Sequence, residues 1–264
     1  MPILSVIIPC FNHGKYVIQC VESVLSTSIS KELEIIIVND GSNDAGFTKN
    51  TLDGINDKKV IVLHQENKGL GKTRNVAINL AKGKYILPLD ADNFVTDSFL
   101  TKSLQILELN NEVDIVYPDR IIVDKNNIQT IRKSKAYNKN FVLLQNYIDA
   151  CTMYRKSVWE KVNGYDEQMP VMGFEDWEFW IRCSELNFKF YHLKGSYFYY
   201  RDLENSMIKS TLISHNEILQ YIMKKNIHIY SSLLQEMKAE YSYLNRKPLN
   251  YLFRKYLNLP QIWK

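Results

Sequence analysis

The chain has 264 residues, 45% of them hydrophobic and 23% charged, with a formal net charge of +4. That length suits one α/β domain with a substantial core and a smaller appendage, in the composition of an ordinary soluble globular protein. The charge is too small to argue for nucleic acid as a partner, although it suits a pocket that holds a diphosphate.

The first half alternates short apolar runs with amphipathic ones, the pattern of βαβ units around a mainly parallel sheet. Residues 3–9 predict a buried strand, and residues 15–26 a helix with Val17, Val21, Val24 and Leu25 on one face. Residues 33–39 form the next strand, ending at the turn Asp40-Gly41-Ser42. A third strand spans 59–64, and a helix over 71–81 is stopped by Gly83. The fourth strand, 85–89, runs straight into Asp90-Ala91-Asp92.

Beyond this point the pattern reads as a helix over 97–109, a strand over 114–117 and a hairpin over 121–131 that turns at Asp124-Lys125-Asn126-Asn127. A strand over 150–154, a short helix over 156–162 and a helix over 174–186 follow, then strands over 188–192 and 197–201. From about Thr211 the chain reads as two helices and a basic, aromatic tail. The partition is one α/β domain over 1–210 and a helical extension over 211–264.

Cys10, Cys20, Cys151 and Cys183 show neither CxxC nor zinc-finger spacing, which points to free thiols in a reducing, cytosolic setting. The apolar start is too short and uncharged for a signal peptide, and no run approaches the ~18 apolar residues of a membrane span.

Ligands of open α/β sheets bind beyond the carboxyl ends of the strands, so polar residues there carry functional weight. The ends read Pro9-Cys10-Phe11-Asn12, Asn39-Asp40-Gly41-Ser42, His64-Gln65-Glu66-Asn67 and Asp90-Ala91-Asp92. Two carboxylates at i and i+2 after a strand converge on one hard divalent cation, or else form a solvated acidic turn. A bound Mg²⁺ or Mn²⁺ suits bridging of diphosphate oxygens. The place of Asp90 and Asp92 at the end of a buried strand favours the cation. In Gly173-Phe174-Glu175-Asp176-Trp177-Glu178-Phe179-Trp180 an acidic pair opens a helix, which also fits helix-dipole stabilisation of roughly 0.3–1 kcal/mol. Its aromatic surroundings make carboxylates costly there, and a partly desolvated aspartate serves as a general base toward a hydroxyl. Gly69-Leu70-Gly71-Lys72-Thr73 is no P-loop, because Glu66 stands where the first glycine belongs. Lys72 and Arg74, near a helix start, suit a phosphate contact or a plain helix surface.

In chain order these stations resemble the family 2 glycosyltransferases with the GT-A fold. The matching stretches are Ser5-Val6-Ile7-Ile8-Pro9-Cys10-Phe11-Asn12, Ile37-Val38-Asn39-Asp40-Gly41-Ser42, Asn67-Lys68-Gly69-Leu70-Gly71-Lys72-Thr73-Arg74-Asn75, Gly83-Lys84-Tyr85-Ile86-Leu87-Pro88-Leu89-Asp90-Ala91-Asp92 and Gly173-Phe174-Glu175-Asp176-Trp177. The resemblance implies a Rossmann-like sheet flanked by helices, with a nucleotide-binding half over 1–92 and an acceptor-binding half over 93–210. It implies an inverting transfer from a nucleotide sugar, with UDP indicated by Asp40, onto a saccharide or lipid-linked saccharide. By position Pro9 and Phe11 line the base pocket, Asp40 bonds the uracil edge, and Asn67 and Arg74 contact the nucleotide. Asp90 faces the ribose or sugar with Ala91 beside it, Asp92 is the principal ligand of Mn²⁺ or Mg²⁺, Asp176 is the base, and Glu175 lies at the acceptor or donor sugar. His192 matches a metal ligand of some relatives or is a packed histidine; Arg201 and Ser206 match a segment that closes over the diphosphate. Ala91 replaces an acid common in the family. The missing QxxRW motif favours single-sugar addition, in bacterial cell-surface polysaccharide or glycoconjugate synthesis.

In the tail Arg246-Lys247, Arg254-Lys255 and Lys264 alternate with Tyr251, Phe253, Tyr256, Ile262 and Trp263. That interleaving suits an anionic membrane interface, a helix packed on the catalytic domain, or an oligomer contact. Two rival functions remain: a sugar-phosphate nucleotidyltransferase, which would want a basic glycine-rich loop where Cys10–Lys15 stands, and a non-catalytic nucleotide-sugar-binding scaffold, for which Asp92 and Asp176 would be idle.

Overall fold

A computed structural model of the protein describes residues 2–204, 214–248 and 255. The described residues divide into a unit ending at Ile218 and a second beginning at Leu219. In the first unit, β1 (Leu4–Cys10), α1 (Gly14–Leu25), β2 (Leu33–Asp40), α2 (Phe47–Asp53), β3 (Val60–Gln65), α3 (Leu70–Leu80) and β4 (Tyr85–Pro88) build the first half. Then come β5 (Phe94–Val95), α4 (Asp97–Leu109), β6 (Ile115–Val123), β7 (Gln129–Arg132), α5 (Lys139–Leu144), β8 (Met153–Arg155), α6 (Lys156–Lys161), α7 (Glu175–Glu185) and β9 (Phe190–Arg201). The helix α8 (His215–Lys225) carries the division between units within it, and α9 (Ile227–Arg246) lies in the second unit.

One sheet runs β3-β2-β1-β4-β8-β6-β9-β5, with β7 paired to β6. β3, β2, β1 and β4 are mutually parallel. They are joined through helices because parallel neighbours require crossovers. Both faces of this half are covered, so β1 and β2 are buried along their whole length and read as continuous apolar runs rather than alternating ones. β8 is antiparallel to both β4 and β6, and β9 returns parallel to β6. The mainly parallel α/β sheet expected from the sequence is therefore present, with antiparallel strands added in its second half. All four cysteines are free and buried.

Several local differences have physical reasons. The two late strands expected over 188–192 and 197–201 are one, β9, because a bulge opposite Pro118/Asp119 absorbs residues 194–196 while pairing continues. β6 likewise runs unbroken from 115 to 123 through Pro118. The helix α2 escapes periodicity because its FTKNTLD run is short and polar. It is fixed instead by Asp44, whose Oδ2 accepts from Thr48 Oγ1 at 2.6 Å. The two-residue β5 and six-residue α5 are too short to show a period. No helix among the described residues is long and apolar enough to cross a membrane.

Candidate active site

The parallel strands deliver their carboxyl ends to one edge. After β1 the chain turns at Asn12, whose φ is +57°. Asn12 N donates to Ser42 Oγ at 2.9 Å, and its amide exchanges bonds with Asn43, Nδ2 to Oδ1 at 2.8 Å and Asn43 N to Asn12 Oδ1 at 2.9 Å. The loops after β1 and β2 are thereby stitched together. Pro9 is buried within β1, and Phe11 stands outside it, 39% exposed. Asp40, 5% exposed, ends β2 and holds the next loop. Its Oδ1 accepts from Gln65 Nε2 at 2.7 Å and Lys68 N at 2.8 Å, and its Oδ2 from Gly69 N at 3.0 Å. Asn67, exposed, donates from Nδ2 to the Asp40 carbonyl at 2.9 Å. The Asp40 carboxylate thus organises the Asn67 loop.

Past β4, Ala91 packs its side chain into the core, leaving Asp90 and Asp92 to flank it. Arg74 rises from α3 and is 1% exposed. Its Nη2 donates to Asp90 Oδ1 at 2.8 Å and its Nη1 to Glu175 Oε1. Burial opposes the charge on this guanidinium, but Asp90 and Glu175 outweigh burial and raise it above its ordinary value. Arg74 therefore ties the segment after β4 to the start of α7. It presents no open face to a phosphate, and its unbonded Nε is buried.

Asp92 is pushed up to about 7 by burial and by Asp90. Its backbone carbonyl accepts from Arg201 Nε at 3.0 Å, and Arg201 Nη2 reaches Gln19 Oε1 at 2.7 Å. The Arg201 guanidinium also covers the Tyr16 ring at 4.8 Å. Asp176 is half-buried at the head of α7, entered through Phe174 at φ +60°. Asp176 Oδ1 accepts from Trp177 N at 2.7 Å and from Asn146 Nδ2 at 3.3 Å. Burial first and Glu175 second push its carboxyl up to about 7, against the pull of Arg74.

The structure adds residues absent from the sequence reading. Asp149, just before β8, accepts from Arg120 Nη1 at 2.8 Å, and its charge raises both Asp92 and Asp176. Arg120 lies over the Tyr200 ring at 5.4 Å. Tyr200 is raised by burial and then by Asp149, Asp90 and Asp92, which sets it among the acids. Asn146 and Asp149 share a loop with no periodic signal; an acid immediately before the strand expected at 150–154 was the one available cue.

His192 is placed elsewhere, which corrects the ligand reading. Its Nε2 meets Asp119 Oδ1 at 2.8 Å, and its ring stacks on Tyr117. It pairs with Tyr117 of β6, whereas Arg201, beside Asp92, pairs with Val123 six residues further along, about 20 Å at ~3.3 Å per residue. A cation held by Asp92 is out of its reach. Ser206 lies outside the described residues, as do Tyr251, Phe253, Arg254, Tyr256, Ile262, Trp263 and Lys264 of the tail. Among the described residues no group of three His, Cys, Asp or Glu side chains forms a ready-made metal cage. Mg²⁺ is ordinarily held by one or two carboxylates together with substrate phosphates, so Asp92 with the neighbouring Asp90 fits such an ion.

An open, largely parallel sheet with acids at its strand ends and a half-buried carboxylate facing them defines a group-transfer enzyme of nucleotide-binding α/β type. The model of glycosyl transferase family 2 matches residues 5–162, and one described as the N-terminal domain of galactosyltransferase matches residues 142–206. The chain belongs to glycosyl transferase family 2. An uncharacterized glycosyltransferase of Methanocaldococcus jannaschii is 26% identical over 254 residues, covering 92% of this chain and 82% of that protein. Chondroitin synthase of Escherichia coli is 28% identical over 188 residues, 70% of this chain but 27% of the synthase. S. aureus TarS 1–349 in complex with UDP-GlcNAc matches with a TM-score of 0.62 at 22% identity, over 80% of this chain and 61% of the TarS chain. That likeness shows the GT-A fold.

Proposed function

We propose that the protein is an inverting glycosyltransferase that moves a hexosyl or N-acetylhexosaminyl group from a UDP-sugar to an acceptor hydroxyl, in polysaccharide or glycoconjugate synthesis on the cytoplasmic side of a bacterial membrane. The observation that carries this reading is Asp176, a half-buried carboxylate with its proton affinity raised to about 7, linked through Glu175 and Arg74 to Asp90. A base of that strength is matched to neutral pH. UDP as the nucleotide is supported by the TarS structures with UDP-GlcNAc and with UDP.

In the mechanism Asp176 accepts the proton of the acceptor hydroxyl as its oxygen attacks the anomeric carbon. The bond from that carbon to the diphosphate breaks in the same displacement, UDP leaves on the opposite face, and the anomeric configuration inverts. Asn146 and the Trp177 amide hold the Asp176 carboxylate in aim. Phe11 and the loop hung on Asp40 offer the base and ribose a rim, and Arg201 lies at the diphosphate end. Asp92, with Asp90 beside it, would hold Mn²⁺ or Mg²⁺, which when bound neutralises charge on the leaving diphosphate.

The test is a hydrolysis and binding screen of nucleotide sugars with Mn²⁺, Mg²⁺ or EDTA, on wild type, Asp92→Ala and Asp176→Asn. Slow metal-dependent release of UDP from one donor, lost in Asp92→Ala, is the expected result. Absence of binding to every nucleotide sugar with every metal would refute the reading.

A further inference from the structure

In the β6–β7 ladder Arg120 stands directly opposite Arg132. Residues opposite each other in an antiparallel pair project from the same face with Cβ atoms about 5 Å apart, and like charges there are unfavourable. Nothing in the described chain relieves the second charge. Arg132 is exposed, and its side chain has no hydrogen bond or ion pair among the described residues. Arg120 spends one nitrogen on Asp149 at 2.8 Å and sits over the Tyr200 ring at 5.4 Å, leaving Nε and Nη2 unbonded among the described residues. The acid nearest along the strand, Asp119, is buried and already engaged by His192, Ser134 N and Gly195 N.

The position of this pair matters as much as its charge. In sheet order β6 lies two strands beyond β4, on the side away from the nucleotide strands. Through Asp149 and Tyr200, Arg120 nevertheless borders the catalytic centre described above, with Arg132 opposite it. Guanidinium groups in parallel are suited to the planar or tetrahedral oxygens of carboxylate and phosphate.

We propose that Arg120 and Arg132 form an oxyanion subsite on the acceptor side, and that the acceptor is a saccharide bearing a carboxylate or phosphate group next to the glycosylated unit. This rests on the glycosyltransferase reading above, and donor hydrolysis, which needs no acceptor, tests that reading separately. Arg132→Glu is the informative variant. The replaced side chain is exposed and breaks no hydrogen bond or ion pair among the described residues, and the new charge is opposite to that of Arg120 across the ladder, so the fold is not threatened.

With the donor that the enzyme hydrolyses, transfer is measured to neutral oligosaccharides, to oligosaccharides ending in glucuronate, and to oligomers of glycerol phosphate. The expected result is preference for one anionic series, with its KM raised at least tenfold in Arg132→Glu, kcat less affected, and hydrolysis within twofold of wild type. Arg132→Lys should recover most of the loss. The series used names the source of the anion. Independently of turnover, inorganic phosphate and glucuronate are titrated into ¹⁵N-labelled protein while the arginine Nε–H signals are followed. Shifts at Arg120 and Arg132 that vanish in Arg132→Glu support the subsite. Neutral acceptors used equally well and indifferent to Arg132→Glu would overturn it, as would the absence of any shift with either anion. A variant that instead alters hydrolysis of UDP-glucuronate would assign the pair to the donor and overturn it too.

Discussion

The Nη1 of Arg74 is bonded to the carboxylate of Glu175, a residue 101 positions later in the chain, with both side chains at most 6% exposed. The same guanidinium holds Asp90, so one arginine spans the junction between the two halves of the catalytic domain. Breaking a buried ion pair by removing one partner costs about 3–5 kcal/mol, because the remaining charge is left uncompensated. Arg74→Met is therefore expected to lower unfolding free energy by about that amount in urea denaturation. Arg74→Lys should recover little, since one ammonium cannot replace a planar fork that serves two carboxylates. A lysine variant as stable and active as wild type would refute the two-armed bridge.

Asp176 provides a pH prediction whose sign follows from its raised value. The base works when ionised, so transfer at saturating donor should rise about tenfold per pH unit below about 7 and level off above it. Asp176→Asn should bind donor normally and lose transfer by about 10²–10⁴-fold. Stability runs the other way. A carboxyl raised in the fold keeps its proton between about pH 4, where the unfolded chain loses it, and about pH 7, so wild type loses stability across that window. The melting temperature of Asp176→Asn should therefore match wild type near pH 4 and exceed it increasingly up to pH 7. A gap that is constant with pH would mean that Asp176 is not proton-bound in the fold.

How much of this was legible in the sequence depends on range. β1, β2 and β4 are buried on both faces, so their apolar runs and the polar residues that end them mark the crevice directly. Asp92 and Asp176 announce themselves by standing at element ends among apolar residues. The role of Arg74 was not legible, because a helix-start arginine reads as a phosphate ligand until its carboxylate partners, 16 and 101 residues away, are in place. Arg120 and Asp149 were hidden for the same reason, lying in a strand and a loop that meet only through the sheet. His192 matched a metal ligand of some relatives as well as a packed histidine, and only strand register, which sets it about 20 Å from Arg201, separates the two.

In the proposed site the cation depends chiefly on Asp92, its principal protein ligand. Donor affinity is expected to fall at least tenfold when wild type is treated with EDTA, and similarly in Asp92→Ala with Mn²⁺ present. Treating Asp92→Ala with EDTA should then add little, since both changes remove the same interaction. Calorimetric titration of the donor into all four combinations provides the cycle. Additive losses would mean that the metal binds elsewhere.

Gly41 tests the base-side loop. Its φ is +69°, and a Cβ there would lie 2.5 Å from Asn67 N, too close to be accommodated without moving backbone. That backbone belongs to the loop suspended from Asp40 through Lys68 N and Gly69 N. Gly41→Ala should therefore pull the loop off Asp40 and raise donor KM severalfold, leaving kcat less affected because Asp176 lies on α7. Gly195 is the matched control, with φ +72° and no described residue within 4 Å of an added Cβ. Gly195→Ala carries only the backbone strain, roughly 1–3 kcal/mol, and should leave donor KM unchanged. Steady-state kinetics and thermal melts of the two variants separate strain from displacement. Equal loss of stability with equal, unchanged donor KM would show that the Asn67 loop is no part of the nucleotide site.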